Sequence, residues 1–115
     1  MKGATKSGGE VRLVVTTCPD EEAGEAIVRS LVEERLAACG NIVTGVRSIF
    51  WWQGEVDNDS ECLVLLKTHI SRLDQLVCRL EELHPYDVPE LLALEVDRGA
   101  IAYLDWVVEE TTSGS

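Results

Sequence analysis

Cys18, His84 and Glu90 are the side chains from which this chain could assemble a metal site. Cys18 ends the run "VRLVVTTC" and precedes Pro19, while His84 opens "HPYDVPE", which closes on Glu90. A thiolate, a neutral imidazole and a carboxylate together suit a borderline or soft transition metal such as copper or zinc. A thiol near a helix N-terminus also has its thiolate favoured. Each residue has a plain structural reading too: a small residue at a helix start, a helix terminator bonded to backbone, a solvated carboxylate. No local ligand motif unites the three, so only the fold can bring them together.

Other chemistries find less support. The four cysteines, Cys18, Cys39, Cys62 and Cys78, show no C-x-x-C spacing, which argues against a zinc ribbon or a thioredoxin-type pair. Asp57, Asp59 and Glu61 alternate as in a calcium loop, but Cys62 stands where that loop needs Gly and Thr68 where it needs Glu. "TTCPDEEAGEA" lacks the glycines and lysine of a phosphate loop. Thr17 or Cys18 beside His84 is the one nucleophile–base pairing on offer, without a supporting motif. The expectation is a protein that is not an enzyme.

The elements that must position these residues follow from the apolar pattern. With 115 residues, 45% hydrophobic and 27% charged, the chain suits one domain with a real core. Its net charge of -11 repels phosphate backbones and anionic surfaces, so neither nucleic acid nor membrane is an expected partner. No apolar stretch approaches the ~20 residues of a membrane helix. The polar start lacks a secretion signal, and free thiols in a reducing cytoplasm are expected.

Residues 1–10 and 111–115 read as disordered tails around a single domain over 11–110. "VRLVVTT" is a strand, and Pro19 with Asp20, Glu21 and Glu22 starts a helix that Gly40 can end. A long strand over 41–53 follows, bent at Gly45, then a polar turn "GEVDNDSE" and a buried strand "CLVLLKT". Ser71 and Asp74 cap a second helix with a stripe of Leu73, Leu76, Val77, Leu80 and Leu83. "LLALEV" is the fourth strand, "DRG" a turn, and "AIAYLDWVVEE" a final helix. The plan is α+β, a ferredoxin-like β-α-β-β-α-β sandwich with a C-terminal helix. Followed up and down the sheet, this order places Cys18, His84, Asp87, Glu90 and the acidic hairpin at one edge. Cys39 and His69 fall at the other.

Such a sheet carries both helices on one face and leaves the other bare. Phe50 and Trp52 share one face of the long strand, Ile49 and Trp51 the other. An enclosed aromatic buries about 150–250 Å², worth about 4–6 kcal/mol at ~25 cal/mol per Å². One helix layer cannot cover both sets, so self-association is expected.

The blocks "VVTTCPDEEAGEAIVRSLVEERLAACGNIVTGVRSIFWWQGEV", "ECLVLLKT", "LHPYDVPELLAL" and "YLDWV" resemble the divalent-cation-tolerance protein family (CutA) over residues 11 to 107. The resemblance implies a ferredoxin-like subunit in a tight homotrimer, similar in plan to the PII signalling proteins with their inter-subunit clefts. It also implies tolerance to, and binding of, copper or another divalent metal. In the enterobacterial-type pattern the ligands are a Cys late in strand one and a His-His pair before Pro-Tyr. Here Thr16 occupies that Cys position and Leu83 replaces the first His. An alternative role is a PII-like signalling or scaffold module that takes a small molecule or protein partner. Trp52, Glu61, Lys67 and Tyr86 are the family-matching positions for such a cleft.

Overall fold

The structure is a computed structural model that describes residues 3–112. Six strands and three helices run in the order β1 (Thr5–Ser7), β2 (Val11–Cys18), α1 (Glu21–Glu33), β3 (Cys39–Trp52), β4 (Glu55–His69), α2 (Ile70–Leu83), β5 (Leu91–Glu95), β6 (Arg98–Ala100) and α3 (Ile101–Thr112). The main sheet has the order β3-β4-β2-β5, every pairing antiparallel. With α1 and α2 as the crossovers, this is the expected ferredoxin-like arrangement.

Alternation along β2 and β4 sorts the core from the open face. Val14, Cys18, Val64 and Leu66 point to the helices and pack with Ile27, Leu31, Leu76 and Leu80. Leu13, Val15, Leu63 and Leu65 point the other way and stay half-buried. Leu92, Leu94 and Val43 extend that face and are exposed. α3 packs at the lower edge, where Leu104 and Val107 meet Val11 and Ala38. The open face is therefore left largely uncovered.

Several boundaries differ from the sequence expectation. Asp20 caps α1 by accepting from the Ala23 amide at 2.8 Å, but the helix stops at Glu33. Arg35 takes φ 62, the left-handed value that ends a helix, and Leu36 and Ala37 bond back to the Leu31 carbonyl. Gly40 lies within β3, where a Cβ would stand 2.7 Å from Val28 Cγ1. His69, not Ser71, caps α2, its ring accepting from the Ser71 amide at 3.0 Å. The expected disordered tail over 1–10 is corrected in part, because Thr5–Ser7 pairs with Arg98–Ala100, a strand that takes Arg98 and Gly99 from the "DRG" read as a turn and Ala100 from the start of the expected helix. Of the second tail, Thr111 and Thr112 finish α3, and the rest lies outside the described residues. Among the described residues no helix is long and apolar enough to cross a membrane.

The largest difference is at "GEVDNDSE". The turn is confined to Gln53 and Gly54, with φ 50 and φ 82, the positive pair that a two-residue hairpin needs. β4 begins at once, and Val46–Trp52 pairs with Glu55–Glu61 in unbroken register above a bulge at Gly45. β2 ends at Cys18 opposite Cys62, so these seven pairs stand alone as an arm. The molecule measures 50 × 30 × 21 Å, with a radius of gyration of 15.2 Å. A compact chain of this length would have about 13 Å. Its accessible surface of 7210 Å² likewise exceeds the roughly 6,200 Å² of a compact monomer of this mass.

Candidate functional site

The upper end of the sheet gathers the predicted residues where β2 ends, the arm begins and the "HPYDVPE" segment crosses. His84 closes α2 and is buried. Its Nε2 lies 2.7 Å from the Thr17 carbonyl and its Nδ1 accepts from the Tyr86 amide at 3.1 Å. Nε2 therefore donates, Nδ1 accepts, and the ring is filled by backbone on both sides. Thr16 Oγ1 donates to the Glu90 carbonyl at 2.6 Å, which fixes the end of the segment. The Tyr86 hydroxyl donates to Glu61 Oε2 at 2.9 Å and so fastens the segment to the root of the arm. Burial first, and Glu61 second, raise the Tyr86 phenol pKa.

Cys18 is wholly buried opposite Cys62. Burial, with Cys62 next in effect, pushes its thiol up to about 11. The expected lowering by the helix N-terminus is overridden, because a buried thiolate loses its hydration. Glu90 is exposed. Cys18, His84 and Glu90 thus share an edge as expected but do not form a ligand set. Among the described residues no group of three or more His, Cys, Asp and Glu is placed to hold a metal ion. A metal at His84 would have to displace a backbone hydrogen bond, and one at Cys18 would need a thiolate that burial disfavours. One protomer's donors do not fit copper here.

The four cleft candidates separate along the strand pair. Glu61 and Tyr86 meet, but Trp52 lies at the arm's tip opposite Glu55. Lys67 lies six residues down β4 from Glu61, opposite Cys39 and Leu13. At about 3.4 Å per residue each gap is about 20 Å, so no single-chain pocket holds all four.

At the lower edge, Cys39 and His69 lie where the topology placed them. Cys39 Sγ is 3.3 Å from the Tyr103 hydroxyl, and burial, then Cys39, push that phenol up to about 12. His69 Nε2 contacts Glu10 Oε2 at 2.7 Å. Sequence reasoning passed over Tyr103 and Glu10, since neither lies in a motif and their partners are more than fifty residues away.

A family profile described as CutA1 divalent ion tolerance protein matches residues 12–110. The divalent-cation tolerance protein CutA of Thermus thermophilus is 50% identical over 86% of this chain and 96% of its own. Protein CutA of Homo sapiens is 41% identical over 93% of this chain, which spans 60% of the human relative's length. Among solved structures, CutA from Synechococcus elongatus superposes with TM-score 0.91 at 31% identity, over 96% of this chain and 97% of that one. CutA from Xylella fastidiosa gives 0.87 at 40% identity, over 90% and 99%.

Proposed function

This chain belongs to the CutA1 divalent ion tolerance family, and from that membership we propose that it serves divalent-cation tolerance as a non-catalytic cytoplasmic homotrimer whose binding surfaces lie between subunits. The observation that carries this is the open side of the molecule. Ile49, Trp51, Trp52 and Val56, on the two faces of the arm, are each 60% exposed or more, and below Trp52 the open face of the sheet adds Val43, Leu92 and Leu94. Patches of this extent mark interfaces. Four free cysteines support a reducing compartment.

Copper is the cation this reading takes from the sequence resemblance, and the single-chain set Cys18, His84 and Glu90 is not placed to hold it. The reading therefore predicts that His84→Ala leaves copper and zinc affinity unchanged, measured by calorimetric titration at matched oligomeric state. Native mass spectrometry should report three chains at micromolar concentration. A folded monomer there would end the proposal, and a large loss of affinity in His84→Ala would restore the one-chain site.

A second reading is a PII-like module that holds a small molecule between subunits. It rests on the meeting of Glu61 and Tyr86 at the root of the arm, a polar pair that a neighbouring copy would complete into a cleft. A metabolite retained in the native mass spectrum would favour it. A trimer free of any adduct would favour the first.

A further inference from the structure

Lys67 is the one charged side chain among those that the register places on the open face of the sheet body. It lies level with Leu13 on β2 and Cys39 on β3, two residues below Leu65. It is half-buried, its Nζ donates to Asn41 Oδ1, and among the described residues no carboxylate lies within ion-pair distance. Covering this face without a counter-charge would strip water from an ammonium for one amide contact, which is costly.

The same face of β4, followed upward into the arm, carries Glu61, Asp59, Asp57 and Glu55 at every second residue. Glu61 already accepts from Tyr86, and Asp59 stands opposite Ser48. Asp57 and Glu55 stand opposite Phe50 and Trp52. The arm thus offers rings beside carboxylates, and the sheet body offers aliphatic side chains around an ammonium. Within one chain the two cannot meet. Asp57 is ten residues from Lys67 along an extended strand, about 34 Å at ~3.4 Å per residue.

We propose that Lys67 receives a carboxylate, Asp57 or Glu55, from the arm of a neighbouring copy, whose Phe50 and Trp52 then cover the aliphatic side chains around it. This rests on the homotrimer reading and deepens it. An arm laid on the next copy's sheet is a head-to-tail contact, and such contacts close into a ring when the rotation allows. The site is incomplete in one protomer, because its anion comes from the next.

The test is the concentration dependence of assembly of the full chain, followed by native mass spectrometry and light scattering. Wild type should be trimeric. Lys67→Glu should raise the concentration for half-assembly by about tenfold or more, since it sets two acids face to face. Lys67→Glu combined with Asp57→Lys or Glu55→Lys should recover most of the loss, whereas Lys67→Glu with Glu33→Lys, an exposed control at the far end of α1 from the arm, should recover none. Should Lys67→Glu fail to fold, Lys67→Met keeps an apolar stem and should still weaken assembly while flattening its salt dependence. A trimeric wild type with Lys67→Glu or Lys67→Met assembling as tightly overturns this pairing alone. Failure of both charge swaps to recover assembly does the same. A monomeric wild type overturns the homotrimer itself.

Discussion

The lower and upper halves of the β3–β4 pair are built from the same two strands and meet opposite fates. From Cys62 to Thr68, β4 alternates buried with half-buried residues, whereas Glu55–Ser60 is exposed at every position. The lower half has β2 on its far edge and two helices on one face. The upper half loses all of these together, because β2 stops at Cys18. An isolated two-stranded ribbon is marginal in water, and the arm's Trp51 and Trp52 stay exposed. The lower half carries the core that holds the fold, and the upper half carries apolar surface that the fold does not use.

The heaviest test of that division is Leu66→Ala. Leu66 is fully buried among both helices, and a cavity there should cost about 2–5 kcal/mol in denaturant unfolding. If Leu66→Ala disturbed assembly while sparing stability, the division would be false. Next in size, Phe50→Ala with Trp52→Ala should leave the circular dichroism of the folded chain unchanged but weaken association by about 2 kcal/mol or more, roughly thirtyfold in concentration. Loss of secondary structure in that double variant would show that the arm supports the fold. Tyr86→Phe, which removes the bond to Glu61 at the junction of the halves, should cost about 1 kcal/mol by thermal unfolding. The gentlest effect is on pH. Folding raises the Cys18 thiol from 9.0 to about 11, so the folded state holds its proton while the unfolded chain loses it. Its contribution is complete below about pH 9 and declines as pH rises towards 11. Cys18→Ser should flatten that slope in a pH series of unfolding curves.

Most of the architecture was legible because apolar periodicity reports burial. The bare sheet face, the bend at Gly45 and the edge shared by Cys18, His84 and Glu90 all follow from alternation and chain direction. The arm was missed for a related reason. "GEVDNDSE" has turn-forming composition, and polar residues on an unsupported ribbon need not alternate with apolar ones. The signal present was Gly54, which suits a two-residue turn. α1 was read too long because Ala38 keeps helical spacing with Leu31 while packing from a connecting segment instead. The β1–β6 pairing joins residues more than ninety positions apart and leaves no periodic trace in three-residue strands. At the candidate site, the sequence supplied proximity but not occupancy. Backbone atoms claim both nitrogens of His84, which is the plain reading of a helix terminator, and spacing alone did not choose between that and a ligand.

The turn at Gln53 and Gly54 sets the phase of everything above the bulge. Side chains on paired strands repeat every two residues, so one extra residue at the tip would shift each ring of β3 against a different partner on β4. Phe50 would then face Val56 or Asn58 rather than Asp57, and the ring-beside-acid pattern would dissolve without a single substitution on either strand. Two backbone torsions at the far end of the molecule thus act as the key cut that decides which surface a neighbouring chain encounters.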